Sequence, residues 1–167
     1  MFTTIDSFLK IWSEECERTE LLFKAIPEGL WYKEVIPAYR TLARLGWHLV
    51  QTPGEMLERC GLEISGPLLE DQVPTDSNFI VQGWLKVHVS VTEQIGKNWT
   101  DSALRQMDDM YGVQWTRSKT LTCLLHHLIH HRGQMTVLLR AGGAAVPGLY
   151  GPAREEREQY GMRPAKV

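Results

Sequence analysis

The chain has 167 residues, 43% of them hydrophobic and 23% charged, and a formal net charge of −2. That length suits one domain that buries a core without disulfide staples. The charge balance gives no indication of the strongly basic face of a dedicated nucleic-acid binder, and the composition is that of a globular rather than a disordered chain.

The first helical segment carries Ile5, Phe8, Leu9, Trp12, Cys16, Thr19, Phe23 and Ile26 on one face. Thr4 and Asp6 are start signals, and Pro27 with Gly29 stops it. Met1 to Lys10 lacks a basic stretch followed by an apolar run, so no signal peptide is expected. No apolar run reaches the roughly 18 residues of a membrane span. The expected compartment is the cytoplasm. The three cysteines, Cys16, Cys60 and Cys123, are an odd number without a Cys-x-x-Cys pair, which argues against a disulfide framework or a thiolate zinc site. In that compartment Asn98-Trp99-Thr100, formally a glycosylation sequon, carries no meaning.

A connector from Pro27 to Ala38 follows, with Trp31 inside it. The second segment runs from about Tyr39 to Cys60, with Thr41, Leu45, His48, Leu49 and Thr52 on a shared face. Pro53-Gly54 predicts a kink or short break there. Gly61 to Pro74 reads as a connection long enough to cross the end of a bundle. The third segment starts at the capping cluster Thr75-Asp76-Ser77 and places Ile80, Trp84, Val87, Val91 and Ile95 on one face. Gly96 to about Lys119 is less regular, with a short helix expected over Ser102–Met110. The fourth segment starts near Ser118 to Thr120 and ends at Gly142-Gly143. Period-two alternation is weak throughout, and no hairpin is expected. Glu155 to Glu158 reads as a solvated helical turn or loose end.

Four of the six histidines lie in the run His126-His127-Leu128-Ile129-His130-His131-Arg132-Gly133-Gln134. On a helix at about 100° per residue, taking His127 as zero, His131 falls near 40° and Gln134 near −20°. Leu121, Leu124, Met135, Leu138 and Leu139 share that apolar arc. Residues i and i+4 stack one turn apart, so two imidazoles reach one ion. Zinc-type sites need a third protein ligand. His48, inward between Leu45 and Leu49, supplies it. The alternative for any one of them is a core histidine with a satisfied hydrogen bond.

The His48 helix, His127-x-x-x-His131-Arg132-Gly133-Gln134 and Val146-Pro147-x-x-Tyr150-Gly151-Pro152 resemble the DinB/YfiT-type damage-inducible family over essentially the whole chain. The resemblance implies an all-α, up-down-down-up four-helix bundle, usually a homodimer. It also implies a nickel or zinc ion on one histidine of the second helix and two of the fourth, here His48, His127 and His131. Members often carry an acidic or polar residue just after the first histidine of the motif, where this chain has Leu128. The expected layout is a single domain over 1–167, with bundle core about 4–142 and tail 143–167.

Neighbouring residues have two readings each. Gln134 either hydrogen-bonds a ligand or a metal-bound water, or bridges two helices. Arg132, off the metal arc, is expected to pair with an acid on another helix. Gly133 suggests close approach of another backbone, the partner subunit included. His126 and His130 are expected at a surface or interface. His88 is read as a core histidine rather than a fourth ligand or proton carrier. Glu55, seven residues after His48, is the candidate general base if the helix survives Pro53. Trp31 either walls a pocket at the bundle end or plugs the core, and Tyr150 is placed as a pocket wall.

The function expected is a metal-dependent enzyme, a thiol-dependent S-transferase or a hydrolase, in which the ion activates a water or a low-molecular-weight thiol. The alternative is a non-catalytic, stress-induced dimeric protein with a structural metal. The substrate is a small molecule, and neither membrane nor nucleic acid is an expected partner.

Overall fold

Each long helix starts where a side-chain oxygen takes up an orphan backbone N–H. Thr4 caps α1 (Ile5–Lys24), Thr41 caps α2 (Leu42–Glu58), Asp76 caps α3 (Ser77–Asn98) and Thr116 caps α4 (Arg117–Ala141). At the other end of α4 the Ala144 N–H returns to the Leu139 carbonyl and Gly143 takes φ 85°, a backbone conformation that favours glycine. These are the elements of a computed structural model that describes residues 1–164.

The direction of each helix follows from which residues meet. Phe2 meets Ser118 and Glu15 meets Arg132, so α1 and α4 run parallel. Trp12 reaches the His88 carbonyl, and Glu28 reaches Ser77, so α3 runs against α1. Gly46 faces Ile80 and Gly83 faces Val50, which makes α2 parallel to α3. The result is an up-down-down-up four-helix bundle. The parallel α2–α3 pair is why residues 59–76 must travel back along the bundle, a distance of about 25 Å for a helix of this length. One apolar cluster fills the centre, with Trp12 and Trp84 fully buried and their rings 6.0 Å apart.

Several expectations differ from the structure. α2 is not broken at Pro53-Gly54. Proline withholds one ladder bond from the Leu49 carbonyl. Against that, Pro53 is buried against Trp12, Leu49 and Trp84, and packing decides the outcome. The segment after α3 is a short 3-10 helix, Asp101–Arg105, followed by a hairpin of β1 (Met107–Met110) and β2 (Val113–Thr116), rather than a helix over Ser102–Met110. Tyr111 and Gly112 both take positive φ, 61° and 81°, the backbone of a tight hairpin turn. The four-residue strands alternate too briefly to read as period two, and tyrosine is an unusual first turn residue. The second helix also starts at Leu42 rather than Tyr39, leaving Tyr39 and Arg40 in a loop.

A buried ion pair ties α4 to α1. Arg132 (1% exposed) meets the Glu15 carboxylate (5% exposed) and donates to the Glu15 carbonyl at 2.7 Å and the Thr19 hydroxyl at 3.1 Å. The Tyr150 hydroxyl donates to Glu15 at 2.5 Å, so the segment after α4 is pinned to the same pair. Burial, with the adjacent Glu15 carboxylate, pushes the Tyr150 phenol up to about 12. Tyr150 thus serves this network rather than a pocket wall, and Trp31 is a core plug, 2% exposed and edge-on to Phe23.

Removing Arg132 leaves the buried Glu15 carboxylate with Arg18, at 3.1 Å, as its one remaining cationic partner, and removing Glu15 strands Arg132 in the core. Arg132→Met is expected to cost about 3–5 kcal/mol in urea unfolding, and Glu15→Leu combined with Arg132→Met to recover most of it. Equal losses in the single and double variants would refute this account.

Candidate metal centre

α2 and α4 pack antiparallel, with His48 opposite His127 and Cys60 near Thr120. The i, i+4 pair of α4 therefore faces a single turn of α2. His48 Nε2 lies 3.2 Å from His127 Nε2, and His127 Nε2 lies 3.0 Å from His131 Nε2. One ligand atom from each of the three residues falls within 4.8 Å of the other two. Four-coordinate ions with bonds of about 2.0–2.1 Å hold their nitrogen ligands roughly 3.3 Å apart, so the observed spacing fits one ion.

The chemistry of the donor set fits as well. Gln134 Oε1 lies 2.7 Å from His131 Nδ1 and accepts its proton, which leaves the Nε2 lone pair aimed at the cluster. The Gln134 amide then donates to His130 Nε2 at 3.1 Å. Three Nε2 atoms facing one another cannot all be satisfied by the protons available to neutral rings, whereas a cation satisfies all three. His127 Nδ1 is buried without a hydrogen-bond partner. Its ring is held instead by an apolar wall of Trp12, Leu49, Trp84, Leu124 and Leu128.

The electrostatics keep the rings neutral. Burial, and then the adjacent imidazoles, lower His48 and His127 to about 4, and burial lowers His131. Neutral imidazole is the ligating form, so no proton need leave these rings near pH 7.

The site is closed behind and open in front. A cleft of about 390 Å3, open to solvent and lined by Ala38, Tyr39, Arg40, His131 and Gln134, meets the cluster at His131. A larger depression, about 570 Å3, lies between α2, α3 and their connector, against Trp47, Pro67, Phe79 and Lys86, and touches none of the three histidines.

The other residues singled out by sequence lie elsewhere. Glu55 is not brought into the cluster: it pairs with Arg59 at 3.6 Å, and its carboxylate helps burial push the Tyr111 phenol up. His88 faces Glu20 at 3.5 Å and is not a fourth ligand here. His126 and His130 are exposed. A side chain added at Gly133 would meet nothing within 4 Å, so among the described residues no other segment's backbone approaches it. Two functional-region residues escaped sequence reasoning. Glu15 had a signal, a carboxylate inside the apolar stripe of α1, whereas Arg40 lies in a loop without period.

The matched family model carries the description DinB family and spans residues 1–163. The protein named "Uncharacterized protein YrdA" of Bacillus subtilis is 34% identical over the full length of both chains. Among solved structures, a DinB-like protein from Bacillus cereus is 36% identical with a TM-score of 0.85, covering 90% of this chain and all of that one. The DinB-like protein YjoA of Bacillus subtilis, at 19% identity, TM-score 0.66 and coverage of 86% and 96%, shares the fold.

Two outcomes follow from the geometry. Gln134→Ala is expected to weaken divalent-metal affinity by about 10–100-fold in a competition titration, through loss of tautomer and ring control. In metal-free protein the lowered imidazoles bind fewer protons folded than unfolded. Stability is therefore expected to fall as pH drops from 6.5 toward about 4. Urea unfolding across that range should show a shallower fall for His48→Gln with His127→Gln.

Proposed function

The chain belongs to the DinB family, and from that premise we propose that it is a metal-dependent enzyme of the thiol-dependent S-transferase or hydrolase type. The observation that supports this reading is the asymmetry of the site: three converging imidazole nitrogens, an apolar wall on one side and a solvent-connected cleft on the other. Closed structural sites use four protein ligands; three leave a position for chemistry. Nickel and zinc both suit an all-imidazole set. The bound ion would supply Lewis-acid activation, lowering the pKa of a water or thiol into the neutral range.

The chain's own residues do the rest. His48, His127 and His131 hold the ion, and Gln134 fixes the His131 ring. Trp12, Leu49, Trp84, Leu124 and Leu128 exclude water from the back of His127, which strengthens every electrostatic interaction at the front. No carboxylate lines the cleft, so a general base from this chain is not part of the proposal. A homodimer and a low-molecular-weight thiol as cosubstrate remain part of it. The outer side of α4, with Ile129 and Val137 exposed, is a candidate contact.

The second reading, a structural metal, draws support from the placement of the ligands on two helices that the ion would cross-link. Titration of nickel or zinc into the metal-free chain separates them. Both predict one ion per chain, a rise in stability of about 2.7 kcal/mol at 100 times Kd, and loss of binding in His131→Ala. The catalytic reading further expects an exchangeable water on the ion and thiol transfer to an electrophile that His131→Ala abolishes. A saturated coordination sphere without exchange would sink it.

A further inference from the structure

We propose that the cleft in front of the three imidazoles takes a small-molecule carboxylate, with Arg40 as its anchor. The inference rests on the catalytic reading above and narrows its substrate class.

Arg40 stands on the cleft wall with Ala38, Tyr39, His131 and Gln134, and no aspartate or glutamate stands with it. Arg18, Arg59, Arg117, Arg132 and Arg140 each meet a carboxylate. Arg40, like Arg44, Arg105, Arg154, Arg157 and Arg163, meets none among the described residues; of these it alone lines the cleft, and it is exposed to solvent. It shares the cleft with His131, one of the three converging imidazoles.

The loop that carries it is held in an unusual conformation. Ala38 takes φ 59°, a left-handed conformation that costs a residue with a Cβ, and its N–H is gripped by the Glu34 carboxylate at 2.6 Å. Two residues on, Arg40 comes just before the Thr41 cap, so its backbone is fixed on both sides.

A guanidinium beside a cation site repels the ion. An anion that spans both removes the repulsion and gains from each. One unpaired guanidinium offers one planar fork, the match for one carboxylate. Phosphate sites usually add free backbone N–H groups. Here two N–H groups in the first turn of α2 are taken: the Arg44 N–H by the Thr41 hydroxyl and the Ala43 N–H by the Trp31 carbonyl. The cleft, about 390 Å3, fits a small molecule.

The test uses the full chain loaded with cobalt(II) and two thiol probes, 3-mercaptopropionate and its neutral analogue 3-mercaptopropionamide. Binding is followed by the visible spectrum of the ion and by calorimetry. The carboxylate probe is expected to bind about tenfold or more tightly than the amide. Arg40→Gln should remove that preference and leave amide binding unchanged, and Arg40→Lys should restore part of it. Equal binding of the two probes, or a preference that survives Arg40→Gln, overturns the inference and leaves the metal reading standing. If neither thiol changes the spectrum, the thiol reading falls, and propionate decides by calorimetry alone. Binding lost in Arg40→Gln supports the anchor, and binding that is absent or independent of Arg40 overturns it. Inorganic phosphate binding more tightly than propionate through Arg40 would overturn the assignment to carboxylate.

Discussion

Three imidazole nitrogens within 4.8 Å of one another, two of the pairs at hydrogen-bond distance, are unfavourable in a half-buried place unless something positive joins them. Protons do this poorly here. Burial and mutual repulsion hold His48 and His127 at about 4, so the rings stay neutral over the physiological range. The constraint that organises the molecule is therefore the convergence of His48, His127 and His131 across the α2–α4 contact. The caps that start α2 and α4 set how far along each helix these residues fall. The antiparallel pairing of the two helices sets which turns meet.

Rotation of α4 about its own axis is the remaining freedom, and the ion pair removes it. Arg132 follows His131 directly, on the adjoining face of the same turn. It is locked to Glu15, Thr19 and, through Tyr150, the chain beyond α4. A buried charge pair adds little net stability over an apolar equivalent. It is far more exacting than leucine about where α4 points, and a few degrees of roll would carry the His127 and His131 rings off the point they share with His48. The His-Arg-Gly-Gln run thus divides its tasks among faces: one histidine to the ion, the arginine to α1, the glutamine back to the histidine.

The parts that could be read from sequence were those with a period or a cap. Helix faces, the capped starts of α1 and α3 and the Gly142-Gly143 stop follow from spacing and turn chemistry, and so does the inward placing of His48, His127 and His131; the caps Thr41 and Thr116 did not stand out, and α2 and α4 start a few residues from where their periodicity suggests. Pro53 misled because a local rule, loss of one ladder bond, was outweighed by non-local burial against Trp12 and Trp84. The hairpin was hidden because each strand has four residues and the turn is Tyr111-Gly112 rather than an asparagine-glycine pair. Glu15 and Tyr150 could not be joined to Arg132 from one sequence. They are 117 and 18 residues from it along the chain, and only the parallel α1–α4 packing brings them together.

The contrast between the two walls of the site argues for chemistry over mere cross-linking. A purely structural ion gains from being sealed, and the bundle has the apolar side chains to seal it, as the wall behind His127 shows. The front is not sealed. The loop before α2 is instead turned through a left-handed Ala38, with Arg40, a permanent cation, on its wall. On the reading proposed above, such a wall would weaken the hold on a metal when the cleft is empty and strengthen the hold on an anion when it is full. That trade is expensive for a rivet and sensible for a site whose work is done on something that enters from solution.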